Sequence, residues 1–411
     1  MDLRGPARPG DRGLVLSPPV APIDSLTGLS AARFAVYVHF PYCLSKCPYC
    51  DFASTAAKQV PEVRYTKAVL RELEVRGAGL GAREVNAIFI GGGTPSLWNP
   101  LHVREVLQAI GARLRVAEGC EVTLEANPGA ADEARFSGYR AAGVNRLSIG
   151  VQSFQPSTLT KLGRGHDGEL ARRAVRAARD AGFTNVSMDF IYGVQGQTVD
   201  EVRRDAEQAV SLGTEHLSAY ALTLDSESLA EDVPLAKQLA RGEVQLPADD
   251  VVVEMQRTVR DVYRQAGLER YEVSNYAKRG FHSRHNSTYW TGGDWLALGV
   301  GATGSLAERR YSNQRSAERY LVDVEAERLP ESSTETLTPL ERFEERVAMG
   351  LRLTSGLDLE TACRQFGQGY EPRRPLVERL LVEGLAVMDA GRLKLTDAGM
   401  DVHSAVSARL M

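Results

Sequence analysis

Short apolar segments alternate with longer amphipathic segments from Ala35 to about Leu224. The apolar segments predict strands at Ala35–Phe40, Ala87–Ile90, Glu121–Glu125, Arg146–Ile149, Asn185–Phe190 and His216–Leu222. The amphipathic segments predict helices at Glu62–Arg76, Leu101–Leu114, Ala131–Ala142, Gly168–Ala181 and Val199–Leu212. Strands that alternate with helices indicate parallel pairing through right-handed crossovers. The periodicity fits an open sheet and a barrel equally well.

The last third of the chain has a different pattern. A helix is predicted from about Ala248 to Gln265, followed by a run of aromatic and polar residues up to Gly304. Beyond about Thr338, two helices are predicted at Glu341–Leu353 and Pro375–Glu383. A hairpin with a Gly turn is predicted at Leu385–Thr396, and a final helix follows it. This order is typical of a small winged-helix-like domain. Because it has no clearly basic recognition helix, we favour a packing or lid role over DNA binding.

Composition and charge exclude several classes of protein. The chain has 411 residues, 43% of them hydrophobic and 25% charged, which suits one large domain and a smaller one. Its net charge of -4 gives no basic field for nucleic acid, and no apolar run approaches a membrane-spanning helix. Residues 1–32 are rich in Pro, Gly and Ala without the layout of a signal peptide, which predicts a disordered extension.

Three cysteines, Cys43, Cys47 and Cys50, follow the first predicted strand with the spacing C-x3-C-x2-C. Three thiolates on one loop can hold three irons of a four-iron cluster, which leaves the fourth iron open to a small molecule. Half of a zinc site is the alternative, although closed structural zinc sites have four ligands. A disulfide framework is disfavoured in a long chain with few cysteines. We expect Cys120 in the core and Cys363 in a C-terminal helix.

Further candidate residues lie where predicted strands end. The glycines of Gly91–Thr94 allow backbone N–H groups to approach a ligand, although a tight turn would need them as well. Glu125 ends the third strand, either as a ligand-facing carboxylate or as a helix N-cap. Asp189 lies within an apolar strand, where an unpaired carboxylate is costly.

The cysteine run resembles the cluster loop of the radical S-adenosylmethionine (radical SAM) superfamily. From about Phe34 onward the chain is similar to the family that holds oxygen-independent coproporphyrinogen III oxidase and heme chaperones of the HemW type. The resemblance implies an α/β fold, a partial (β/α)6 barrel with a winged-helix-like C-terminal domain. It implies a 4Fe-4S cluster on the three cysteines and S-adenosylmethionine on the open iron. The cofactor-binding residues that it implies are Tyr37, Gly92, Gly93, Thr94, Glu125, Gln152, Arg164 and Asp189. For His166 it gives no role, and we expect a surface position.

Two functions compete within this family. One is oxidative decarboxylation of the propionate side chains of coproporphyrinogen III, and the other is heme binding and delivery by a chaperone. The decarboxylases have a further cysteine two residues after the third, where this chain has Phe52, as in the HemW pattern. The run His285-Asn-Ser-Thr-Tyr289-Trp290 matches the heme motif of HemW-like proteins, although a lone loop histidine is more often merely hydrogen-bonded. His282 is interpreted as an incidental neighbour. A purely structural cluster loop would leave the glycine run and Asp189 unexplained.

The chaperone interpretation carries further expectations. The partners would be heme and a heme-accepting protein, for which a respiratory enzyme at the membrane is plausible by family analogy. We expect a cytoplasmic monomer or weak dimer that contacts the membrane surface only transiently, without nucleic acid. We divide the chain into a disordered extension, the barrel, a heme-motif region with a linker, and the C-terminal domain, at residues 1–32, 33–270, 271–335 and 336–411.

Overall fold

The structure of the protein, a computed structural model, describes residues 34–81, 83–129, 133–224 and 233–411. The predicted N-terminal extension lies outside these ranges. The described residues form sixteen strands: β1 (Phe34–Phe40), β2 (Tyr42–Cys43), β3 (Thr55–Ala56), β4 (Glu84–Gly92), β5 (Arg115–Ala126), β6 (Arg146–Gln152), β7 (Val186–Tyr192), β8 (His216–Ala221), β9 (Glu269–Arg270), β10 (Asn275–Ala277), β11 (Asp294–Gly299), β12 (Thr303–Leu306), β13 (Arg309–Asn313), β14 (Glu331–Thr336), β15 (Ala386–Asp389) and β16 (Arg392–Leu395).

Fifteen α-helices are present in the same ranges. They are α1 (Glu62–Arg76), α2 (Pro100–Arg113), α3 (Glu133–Ala142), α4 (Pro156–Lys161), α5 (Gly168–Asp180), α6 (Val199–Ser211), α7 (Pro234–Ala240), α8 (Asp249–Gln265), α9 (Arg284–Trp290), α10 (Ala317–Glu325), α11 (Pro339–Arg352), α12 (Leu359–Gln365), α13 (Arg374–Val382), α14 (Asp397–Asp401) and α15 (His403–Leu410). Side-chain caps fix several helix starts: Thr198 and Glu201 form a capping box at α6, and Asp167 caps α5.

Six parallel strands form the centre of the main sheet, in the order β1-β4-β5-β6-β7-β8. Beside β1 the sheet continues through β11, β12, β13 and β14, and beside β8 it continues through β10 and β9. Further strands therefore flank the six central strands on both sides, and β1 does not pair with β8. This arrangement confirms the predicted partial barrel.

The six central strands have an apolar outer face and a polar inner face. In β6, the side chains of Leu147, Ile149 and Val151 are fully buried in the main hydrophobic core beneath the helices. The alternate residues Arg146 and Ser148 instead line a cleft on the inner face. Because side chains of a strand alternate between its two faces, one strand serves both the core and the cleft.

The C-terminal helices and the β15–β16 hairpin enclose their own hydrophobic core, which includes Phe343 and Leu393. A capping box of Thr338 and Glu341 begins α11. This unit is joined to the main sheet by an ion pair in which Arg352 Nη2 lies 2.8 Å from the buried Glu272 Oε2. The order of its elements matches the predicted separate, winged-helix-like domain.

The strand and helix positions predicted up to residue 224 agree with the structure, apart from their ends. Strand β5 is much longer than predicted, since it begins at Arg115. The four strands β11 to β14, in the region predicted as heme motif and linker, were not foreseen. Cys120 is buried, and Cys363 is buried within α12, as expected. Among the described helices, none is both long and apolar enough to cross a membrane.

Candidate cofactor and ligand site

The three cysteines lie between β1 and α1, with Cys43 at the end of β2 and with Cys47 and Cys50 in the loop that follows it. All three thiols are free, and they line a cleft of about 580 Å³ together with the inner face of the central strands. Within the part of the chain that the structure describes, no three His, Cys, Asp or Glu side chains are grouped to hold a single metal ion. Three thiolates on one loop are one ligand short of a closed structural zinc site, and they can bind three irons of a four-iron cluster.

A chain of polar contacts joins Cys43 to Cys47 across the cleft. The Thr94 hydroxyl donates to Cys43 Sγ at 3.4 Å and accepts from Asn127 Nδ2 at 3.0 Å. Arg164 donates to Asn127 Oδ1 at 2.5 Å and lies 3.7 Å from Cys47 Sγ. Asn127 links the two halves, and it is not among the site residues predicted from the sequence. Its position at the end of β5, two residues after Glu125, is the signal that could have found it.

The glycine run packs directly on the chain that leads to the cysteines. Gly93 N donates to Phe40 O at 2.7 Å, and a Cβ atom on Gly93 would come within 2.8 Å of the Pro41 backbone. Gly92 has φ +113°, and a Cβ atom there would meet the His39 ring at 2.6 Å. These two glycines therefore allow a close approach between two loops of the protein itself.

Two carboxylates face the cleft from neighbouring parts of the sheet. Glu125 Oε2 accepts from Gly92 N at 3.0 Å, so Glu125 contacts the glycine run instead of capping a helix. Burial raises the pKa of Glu125 to about 8, and the Asp189 charge adds to this shift. The pKa of Asp189 is also raised by burial, although Ser148 donates to its Oδ2 at 2.9 Å. A positive charge bound beside these two carboxyl groups would favour their ionised forms.

Gln152 occupies an unusual backbone conformation at the end of β6. Its φ is +64°, in the left-handed region, where the β6–β7 register shifts. Such a conformation is costly for a non-glycine residue and is often found at functional sites. The Gln152 side chain lines the cleft.

Tyr37 is connected to the cysteine loop through His39. The His39 Nε2 lies 3.0 Å from the carbonyl oxygen of Ala53, in that loop, so Nε2 carries the proton and donates. The Tyr37 hydroxyl then donates to His39 Nδ1 at 2.9 Å. Burial lowers the pKa of His39 to about 4, which keeps this imidazole neutral at physiological pH.

His285 lies on α9 and lines the same cleft. Glu121 Oε1 accepts from the backbone N–H groups of Arg284 at 3.0 Å and His285 at 3.3 Å, which fixes the start of this helix. The His285 ring stacks on Phe89 with a centroid separation of 4.8 Å. Its Nε2 lies 2.5 Å from the Tyr289 hydroxyl, and its Nδ1 is buried without a hydrogen-bond partner among the described residues.

The surroundings of His285 keep its imidazole neutral. Burial lowers the pKa of His285 to about 3, and the positive charge of Arg146 contributes to this shift. A neutral imidazole has a lone pair available for a metal ion.

The structure brings nearly all of the predicted residues together. The three cysteines, the eight residues implied for the cofactor, His285 and Tyr289 all line the one cleft. Trp290 does not: the Arg352 guanidinium lies 4.6 Å from its ring centroid, on the side of the C-terminal domain. His282 stacks on Tyr271 at 4.3 Å and also lies outside the cleft lining.

The expectation for His166 was wrong. This side chain is buried, its Nε2 donates to Val151 O at 2.9 Å, and burial lowers its pKa to about 4. It fixes the loop that carries Arg164 against the end of β6. An imidazole can be buried in this way because it remains neutral.

Several polar cleft residues were missed, namely Arg146, Ser148, His216 and Ser218. The strand sequences contained a signal for them. In β6, polar or small residues alternate with apolar ones, whereas a parallel strand that is buried on both faces is apolar throughout. The alternation therefore indicates a strand with a polar ligand cavity on one side.

Comparison with known proteins agrees with this geometry. Residues 37–209 match the family model of the radical SAM superfamily, and residues 337–402 match that of the HemN C-terminal domain. A protein named heme chaperone HemW from Mycobacterium tuberculosis is 35% identical over 396 residues, which are 95% of this chain and 98% of that protein. The chain belongs to the HemW family of radical SAM proteins.

Other relatives support the same family and fold. Heme chaperone HemW of Escherichia coli is 40% identical over 273 residues, covering 66% of this chain and 70% of that protein. The solved structure of the radical SAM enzyme coproporphyrinogen III oxidase (HemN) from Escherichia coli superposes with a TM-score of 0.77 at 20% identity, covering 97% of this chain and 96% of that one. At this identity the likeness establishes the fold alone.

Membership of the HemW family implies a 4Fe-4S cluster and S-adenosylmethionine, and the donor set is compatible with both. Three free thiols line the cleft, and the nearby Arg164 Nε is buried without a partner among the described residues. An arginine with an unused donor beside a thiol can receive the carboxylate of a bound ligand.

Proposed function

We propose that this protein is a heme chaperone, which binds heme in the cleft and transfers it to an acceptor protein. The observation that carries this proposal is that His285, from the run His285-Asn-Ser-Thr-Tyr289-Trp290, lines the same cleft as the three cysteines. The relatives named heme chaperone HemW support it. Phe52, 57% exposed at the cleft, occupies the position at which a decarboxylase would have its further cysteine.

In this proposal the cysteines hold a 4Fe-4S cluster and the facing residues hold S-adenosylmethionine. Arg164 pairs with the cofactor carboxylate, while Glu125, Gln152 and Asp189 offer hydrogen-bond acceptors from the inner wall. The wall of the cleft beside the cysteine loop is formed by Tyr37, Gly92, Gly93 and Thr94. The chemistry that such a cluster and cofactor would supply is one-electron cleavage of a carbon–sulfur bond.

The heme side of the proposal rests on His285 as the axial ligand of the iron. Its imidazole is neutral, and the rings of Phe89 and Tyr37 lie against it, with centroids 4.8 and 5.9 Å away. Aromatic side chains beside a ligating imidazole can contact the porphyrin face. The Tyr289 hydroxyl must leave Nε2 before this nitrogen can bind iron. Trp290 supports α9 from the C-terminal side rather than contacting the porphyrin.

The test is a heme titration followed by absorbance. The wild-type protein should bind one heme, and His285→Ala should bind it at least about tenfold more weakly, with an unchanged cluster spectrum. Transfer is then measured by mixing the heme-loaded protein with an apo-globin as a trap. Unaltered heme affinity in His285→Ala would remove His285 from the site. Failure of the loaded protein to release heme to the trap would argue against a chaperone.

The alternative function is oxidative decarboxylation of coproporphyrinogen III with the same cluster and cofactor. It needs turnover of propionate side chains, which the chaperone proposal does not. We further propose a cytoplasmic monomer or weak dimer that delivers heme to a membrane-associated respiratory enzyme. Sedimentation of the anaerobic protein, with and without lipid vesicles, tests its oligomeric state and its contact with a membrane surface.

A further inference from the structure

Arg146 lies on the inner face of the sheet, at the start of β6, and is one of the residues that line the cleft. Only 2% of this residue is exposed. Its Nε atom is buried without a hydrogen-bond partner among the described residues. An arginine is always charged in a protein, so its guanidinium is a permanent cation inside the cleft.

The negative charges around Arg146 do not fully satisfy it. The carboxylate oxygen Oε2 of Glu121 lies 4.0 Å from Arg146 Nε, beyond hydrogen-bond distance. The other Glu121 oxygen accepts the two backbone N–H groups at the start of α9. Glu125 and Asp189 face the same space. Burial raises the pKa of each carboxyl group, and the positive charge of Arg146 offsets only part of that rise. The imidazoles of His216 and His285 there are held neutral by burial.

A buried cation with an unmet donor is costly unless a ligand completes its hydrogen bonds. The planar guanidinium matches a carboxylate, which can accept two parallel N–H bonds from it. Glu121 lies 4.0 Å from Arg146 and also accepts from the backbone N–H of His285, so Arg146 lies beside the part of the cleft that holds the proposed iron ligand. Heme has two propionate side chains, each with a carboxylate.

We propose that Arg146 binds a carboxylate of the ligand in this cleft, a propionate of heme bound at His285. This inference rests on the proposed heme function. The methionine carboxylate of S-adenosylmethionine has the same chemistry, but Arg164, whose Nη1 lies 3.7 Å from Cys47 Sγ, is the better placed partner for a group at the cluster.

The experiment compares heme with heme dimethyl ester, in which both propionates are esterified and uncharged. Affinities for both are measured by absorbance on the wild type, Arg146→Gln and Arg146→Lys. The wild type should prefer heme by about tenfold, as expected for one charge-assisted carboxylate contact. Arg146→Gln should lose this preference, and Arg146→Lys should retain part of it. Because each preference is a ratio within one variant, a general loss of stability cancels.

A second variant separates ligand binding from support of α9. Glu121→Gln keeps an oxygen acceptor for the backbone of α9 but removes the charge nearest to Arg146, so it should preserve the preference for heme. If Glu121→Gln and Arg146→Gln lost the preference for heme over its dimethyl ester to the same extent, the proposal would be overturned. The Glu121–Arg146 pair would then act only through its support of α9. A preference for heme that is unchanged in Arg146→Gln would overturn it as well.

Binding of S-adenosylmethionine to the reconstituted protein is measured in parallel by calorimetry. If Arg146→Gln weakens this binding instead, the carboxylate belongs to methionine and the propionate assignment is wrong. Absence of any heme binding by the wild type would refute the proposed function itself. In that case Arg146→Gln would still decide between a methionine carboxylate and no ligand carboxylate at all.

Discussion

The Tyr289 hydroxyl lies 2.5 Å from Nε2 of His285, one helical turn earlier on α9. In the tautomer in which the hydroxyl donates, this hydrogen bond occupies the Nε2 lone pair, which an iron ion bound at Nε2 would need. In the proposed heme site, Tyr289 would therefore compete with the iron for Nε2 of His285. Binding of the heme iron at Nε2 would require the hydroxyl to move. The free energy of this one hydrogen bond would set how much Tyr289 weakens heme binding.

Replacing Tyr289 by Phe should strengthen heme binding. The change removes the competing hydroxyl and keeps the ring, and a net hydrogen bond of about 0.5–1.5 kcal/mol corresponds to roughly two- to tenfold in affinity. A heme titration of Tyr289→Phe measures it. Tyr311→Phe is the control, since the Tyr311 hydroxyl bonds to the Ala297 backbone and this residue does not line the cleft. Weaker binding in Tyr289→Phe would mean that Tyr289 helps to hold the heme.

His285 should make stability depend on pH in a defined direction. Its pKa is about 3 in the folded protein against an ordinary value of 6.5, so the unfolded chain takes up the proton first. The associated stability is present above pH 6.5 and is lost, by up to about 1.4 kcal/mol per pH unit, as the pH falls toward 3. Denaturant unfolding of the wild type and His285→Gln, between pH 7 and pH 4, should show their free energies converging. Parallel pH profiles would contradict the low pKa.

Each cluster cysteine should be essential for the iron. Cys43→Ala, Cys47→Ala and Cys50→Ala should each prevent formation of the 4Fe-4S cluster, because each thiolate binds its own iron. Iron and sulfide analysis after anaerobic reconstitution measures the loss. Cys120→Ala, at a buried cysteine in β5, is the control and should reconstitute fully. A complete cluster in any one of the three variants would refute the assignment.

Asn127 should protect the cluster without being its ligand. Asn127→Leu breaks the contacts to Thr94 and Arg164 at nearly constant volume, so the cluster should form but decay about tenfold faster in air. The measurement is the absorbance decay after exposure of the reconstituted protein to oxygen. Asn99→Ala is the control, since it removes only the cap of α2. Equal decay in Asn127→Leu and wild type would limit Asn127 to a structural contact.

The sequence predicted the strands and helices because their signals are local, whereas the partial barrel was implied by the family resemblance. Each strand–helix unit between Ala35 and Leu224 has its own periodicity. The three cysteines follow β1, while Glu125 and Asp189 lie within β5 and β7, and all five residues line one cleft. The C-terminal ends of parallel strands lie at one face of a barrel, so residues at these ends come together whatever the conformation of the loops. This geometry is why so many of the predicted residues line one cleft.

The remainder depends on contacts between distant parts of the chain. Trp290 follows Tyr289 directly, yet the helical turn points it toward Arg352 of the C-terminal domain, which no local pattern predicts. Strands β11 to β14 are short and polar in part, and β11 is defined by its parallel pairing with β1. The partnerless Nε of Arg146 could be recognised only after the positions of its neighbours were known.

The most direct test of the central claim uses anaerobically reconstituted protein with a reductant and S-adenosylmethionine. One sample receives coproporphyrinogen III and another receives heme, with porphyrins separated by chromatography and heme followed by absorbance. We expect stoichiometric heme binding and no loss of carboxyl groups from coproporphyrinogen III. Turnover to protoporphyrinogen would contradict it and make this protein a decarboxylase with Phe52 in place of the further cysteine.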